Sequence, residues 1–220
     1  MQISTIFKRL IVIGGPLLLG IVEIWHDVPL PFDGEGDLGP FTQYRLLAQV
    51  VDQWILIHVV QVPLFAIVAF GIILMVKGLN GFIPVIARVG MFVFIVFYTV
   101  MDAVNGIAVG ILVKDAKELS PSARIIVEQS IESLWNSSVV GGFSVIGALG
   151  WVIGVFAAAV SLRRAGAPRF PVAMIILAAF LFGFSHSNPF GPIGMLLLSA
   201  SFLWLECFHR GVPNLSLIHI

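Results

Sequence analysis

The chain has 220 residues, of which 59% are hydrophobic and only 11% charged, with twelve basic and twelve acidic side chains and no net charge. A soluble domain carries roughly 25% charged residues, so a mean hydropathy of +1.04 for the whole chain, together with apolar runs of eighteen residues or more, excludes an ordinary soluble fold. The balanced charge and the lack of a basic tract exclude nucleic acid as a partner, and the single cysteine, Cys207, excludes an internal disulfide and any CxxC redox or metal motif.

The first apolar run, 10–25, follows Lys8 and Arg9 in the manner of a signal peptide. No small-residue cleavage site follows it; Glu23, Trp25, His26 and Asp27 come instead, and the run reads as a retained span with an aromatic anchor at its end. Segment 27–53 carries Pro29, Pro31 and Pro40 in an acidic, glycine-rich stretch. It then places Leu46, Leu47, Val50, Val51 and Trp54 at helical spacing, which predicts an interfacial helix leading into the second span, 54–76. Asp33, Glu35 and Asp37 alternate like the start of a calcium loop, but Leu38 and Tyr44 stand where glycine and glutamate are needed, so the stretch reads as a solvated acidic loop.

The third span is 86–113. Segment 114–138 offers Ser120 as an N-cap and Pro121 at the first helical position, with Val127, Ile131 and Leu134 on one face, which predicts a short amphipathic helix. Spans 139–162, 170–184 and 193–208 complete an all-α, polytopic transmembrane bundle of about six helices in a single domain, with the lipid bilayer as its main partner. Eight basic residues (Lys8, Arg9, Lys77, Arg88, Arg163, Arg164, Arg169, Arg210) fall on the N-terminal side of the membrane and four (Arg45, Lys114, Lys117, Arg124) on the other. The chain is therefore expected in the cell membrane with both termini cytoplasmic. Eleven of the twelve acids fall in the outer half, Glu206 alone lying inside.

Two glycine patterns bear on packing. Gly14, Gly15 and Gly20 recur at the same spacing as Gly141, Gly142 and Gly147, the pattern of an inverted repeat, although nothing similar links the third span to the sixth. Gly106 with Gly110, and Gly150 with Gly154, form small-residue faces for close helix approach within the chain or between copies in a homo-oligomer.

Ionisable groups inside the hydrocarbon cost roughly 2.5–3.5 kcal/mol each on insertion scales, so those that persist mark function. Asp102, in the third span, shares a face with Asn105 and Gly106; His58 and Gln61 share a face of the second span, with Pro63 set to kink it; Glu23 shares a face with His26 and Asp27. The turn holding His186 and Asn188 falls at the same level. These residues predict an outward-facing polar pocket that binds or transports a small solute, ion or proton. Asp102 supplies its charge, and His58, Gln61, Asn105 and Glu23 line it. The alternative is a metal-dependent membrane enzyme in which His26, His58 and His186 with the carboxylates hold a transition metal such as zinc, iron or manganese. A third reading is a non-catalytic membrane subunit or sensor that pairs through its glycine faces.

Overall fold

The computed structural model describes residues 5–26 and 42–208, and among these the regular structure is entirely helical. The elements are α1 (Thr5–Arg9), α2 (Gly15–Ile24), α3 (Thr42–Met75), α4 (Phe82–Asp102), α5 (Val109–Ala116), α6 (Pro121–Trp135), α7 (Ser138–Arg164), α8 (Arg169–Phe184) and α9 (Phe190–Phe208). Two π-helical segments interrupt the α geometry, Leu10–Gly14 between α1 and α2 and Ala103–Ala108 between α4 and α5. Three stretches are long and apolar enough to cross a membrane, Tyr44–Met75, Phe82–Ala116 and Pro121–Arg164, and α8 and α9 are shorter apolar helices. The acidic loop at Asp33, Glu35 and Asp37, together with Asp27, His209 and Arg210, lies outside the described residues.

The helices close into a ring. α2 packs on α3, α3 on α4, α4 on α7, α7 on α8, α8 on α9, and α9 back on α2. Its interior is one apolar core in which Phe65, Phe94, Trp151, Phe182 and Phe202 are buried. The tightest pairing, α4 against α7, rests on glycine. A Cβ on Gly90 would meet the backbone of Gly150 and Gly154, and a Cβ on Gly147 would stand 3.0 Å from the backbone nitrogen of Tyr98. Gly106 and Gly110 likewise face His58 and Ile55 of α3, so both small-residue faces are filled inside the chain. The shared glycine spacing does not carry shared packing, since Gly15 meets Ile67 whereas Gly142 meets nothing within 4 Å.

α3 has 34 residues, a length of about 51 Å, and the continuous rod Phe82–Ala116 has 35, about 52 Å. Both exceed the roughly 30 Å of bilayer hydrocarbon by about 20 Å. The surplus forms a separate small core in which Tyr44, Leu47, Val51 and Trp54 of α3 meet Val109, Val113 and Ala116 of α5 and Ile131 of α6. An exposed ion pair on this extension, Lys114 Nζ to Asp52 Oδ1 at 2.8 Å, suits an aqueous surface. α6 begins where its sequence signals stand, with Ser120 extended (φ −60, ψ 153) and Pro121 in the first turn. The Arg124 side chain donates to the carbonyls of Ala116, Lys117 and Leu119 and so closes the end of α5. The one non-helical residue inside α3 is Val50 (φ −125, ψ 19), where the membrane-length part meets the extension. Pro63 lies inside α3 with helical backbone angles, so the break in this helix's φ/ψ falls at Val50.

Candidate functional site

Polar side chains from four segments meet where the ring joins the extension. α2 ends in a tight turn, with the backbone N–H of His26 donating to the Glu23 carbonyl at 3.2 Å. Three residues apart on that turn, Glu23 and His26 project to one side, 0% and 7% exposed. From α3 come Trp54, His58 and Gln61, a stripe at helical spacing, with His58 3% and Gln61 0% exposed. α4 presents Tyr98 and, one turn on, Asp102, which is 1% exposed. The connection between α8 and α9 supplies His186. Its carbonyl passes so close over Gly191 that any side chain there would collide with it, so this approach requires glycine.

The π segment after Asp102 explains how α3 and α4 approach at this level. A π turn sets backbone carbonyls out of α register, and the Gly106 carbonyl takes the indole N–H of Trp54 at 2.8 Å. The absent Cβ of Gly106 leaves the space that the His58 ring occupies. Trp54 also covers both imidazoles, its ring centroid 4.1 Å from His58 and 5.1 Å from His26.

Hydrogen bonding fixes the tautomers in sequence. His58 Nδ1 lies 2.7 Å from the Trp54 carbonyl oxygen, which accepts only from an N–H, so neutral His58 carries its lone pair on Nε2. His58 Nε2 is 3.3 Å from His26 Nε2, so His26 donates there and its own lone pair falls on Nδ1. Tyr98 Oη is 2.7 Å from His186 Nδ1, and Asp102 Oδ1 is 3.7 Å from His58 Nε2. Donor atoms of Glu23, His26 and His186 all lie within 4.8 Å of one another. Burial, with the neighbouring imidazoles His26 and His58, holds His186 well below the ordinary imidazole range, which favours the neutral ring. His186 as a residue is half-buried, while its ring lies among these neighbours.

No family model, curated protein or solved structure matches this chain. The site therefore has to be read from its own chemistry.

Among the described residues, both oxygens of Glu23, both amide atoms of Gln61, Asp102 Oδ2 and Asn105 Oδ1 are buried without a hydrogen-bond partner. Gln61 and Asp102 stand close enough to Glu23 to act on its charge, though outside hydrogen-bond geometry. An unsatisfied buried polar atom costs about 1–3 kcal/mol, so the five on Glu23, Gln61 and Asp102, which neighbour one another, call for a binding partner. Beneath them the ring is sealed by aromatic packing: Phe65 meets Tyr98 edge-on at 5.2 Å, and Phe94 lies 5.1 Å from both Tyr98 and Trp151.

Of the residues singled out in the sequence, Glu23, His26, His58, Gln61, Asp102 and His186 fall in one neighbourhood, but as an enclosed cluster. Of the three histidines, His26 and His186 join Glu23 in the tightest donor group, and His58 stands behind His26. Trp54 and Tyr98 were not anticipated. Their signal was present, since each lies four residues before a marked polar residue on the same face, at His58 and Asp102, but a membrane aromatic reads first as an interface anchor.

Proposed function

We propose that this protein is a membrane-embedded metalloprotein that holds one transition-metal ion between Glu23, His26 and His186, near one face of the bilayer. The observation that carries the reading is the convergence of these three donors within 4.8 Å, two of them buried in an apolar bundle. Two imidazoles and a carboxylate suit zinc, iron or manganese. A cation there would stabilise the charged form of Glu23, which burial of both oxygens without hydrogen bonds otherwise disfavours. His58 is then the outer partner of a metal ligand: it accepts the Nε2 hydrogen of His26 and is itself anchored on the Trp54 carbonyl, the arrangement that orients ligating histidines elsewhere.

Transport of an ion or proton through the same pocket is less well supported. The aromatic floor of Phe65, Phe94, Tyr98 and Trp151 favours a site that retains its ion over one that passes it along. By the distribution of basic residues, the metal end of the bundle faces away from the cytoplasm.

The test is metal analysis of detergent-purified protein. About one equivalent of transition metal per chain is expected, lost in His26→Ala and Glu23→Gln, and weakened about 10–100-fold in His58→Ala as befits an outer partner. Protein that stays metal-free when offered zinc, iron, manganese and cobalt refutes the proposal.

A further inference from the structure

We infer that the metal position keeps a coordination site open to a small exogenous ligand, water in the resting protein and a hydroxyl-bearing molecule or small anion in its place. The inference rests on the metal reading above and concerns what the metal does there: a closed centre would be structural, whereas an open one binds and activates a ligand.

The donor count comes first. Glu23, His26 and His186 supply three donors, one fewer than a tetrahedral site needs and three fewer than an octahedral one. His58 does not supply the fourth, since its two ring nitrogens are engaged with Trp54 and His26. The second observation is independent of the donors. Gln61 is fully buried beside Glu23, yet neither its amide N–H₂ nor its carbonyl closes a hydrogen bond of good geometry among the described residues, and Asp102, 1% exposed, leaves Oδ2 open. A metal ion bound to the three donors satisfies none of these atoms. A molecule beside the metal does, by accepting from Gln61 and donating to a carboxylate or carbonyl oxygen. Gln61 offers both donor hydrogens and an acceptor, and Asp102 Oδ2 an acceptor, so the shell suits water or a hydroxyl group, and the amide N–H₂ suits a small anion.

The geometry agrees with a site that admits small molecules only. The aromatic floor closes it from below, and Trp54 covers the histidines from the side of α3.

The experiment uses the full chain in detergent, stripped with a chelator and reloaded with cobalt(II), whose visible bands report coordination. Azide is then titrated in. The expected result is a saturable change in the bands, reversed by dialysis, with the azide dissociation constant raised about tenfold in Gln61→Met, which keeps side-chain length and removes the amide donor. Cobalt bands that do not respond to azide overturn the open position while leaving the metal centre standing. Protein that gives no cobalt bands overturns the metal reading itself. Should Gln61→Met not fold, the wild-type titration decides alone; should it fold, load cobalt and bind azide as wild type does, Gln61 is not in the ligand's shell and the inference fails.

Discussion

Replacing Gly106 with alanine tests how the site is assembled. The added methyl would fall directly on the His58 ring, whose Cβ, Cγ and Cδ2 are its three nearest neighbours. His58 cannot retreat, because it is 3% exposed, covered by Trp54 and hydrogen-bonded on both nitrogens. Overpacking of this kind costs about 1–3 kcal/mol, and disturbing the bond to the Trp54 carbonyl adds about 1 kcal/mol. Against this stands a gain of up to about 1 kcal/mol from exchanging glycine for alanine in a helical segment. The net expectation is a loss of about 1–3 kcal/mol, with metal affinity lowered about 10–100-fold as His58 is pushed off His26. Gly141→Ala is the matched control, since nothing lies within 4 Å of a Cβ there and the helix gain acts alone. Thermal unfolding followed by circular dichroism in one detergent, with cobalt titration of each variant, makes the comparison. Equal melting temperatures and equal cobalt affinities for the two variants would refute the placement of His58 against the π segment.

Two further predictions concern the carboxylate and the topology. Asp102→Asn keeps shape and burial while removing the titrating group, so it should express and purify like wild type and still load metal. Loss of the metal in this variant would make Asp102 a ligand rather than part of the surrounding shell, and failure to fold would make its charge a structural requirement. Single cysteines at Asp37 and Ser122 in a Cys207→Ser background should react with an impermeant thiol reagent on intact cells, and one at Gly166 should not; the reverse pattern inverts the proposed orientation.

Much of the architecture was legible in the chain because each helix carries its own reason to form. Long apolar runs fix the membrane-length helices, and Ser120 with Pro121 starts α6, all through interactions within a turn or two of sequence. Polar stripes were legible for the same reason: residues three or four apart share a helix face, which pairs His58 with Gln61, Asp102 with Asn105, and Glu23 with His26 without knowledge of any neighbour. What such spacing cannot give is the direction in which each face points around the bundle, or which helix stands opposite. The ring order that sets α2 between α3 and α9, and α4 against α7, depends on packing between residues far apart in the chain, above all on glycines that admit a neighbouring backbone or ring. That packing brought residues of three polar stripes and the His186 turn into one buried cluster, and it placed His58 beside His26 and Tyr98 against His186. The residue types able to bind a metal were therefore set by the sequence, while their division into donors and supporting partners was decided by tertiary contacts, because a hydrogen bond between side chains 32 or 88 positions apart leaves no periodic trace in the chain.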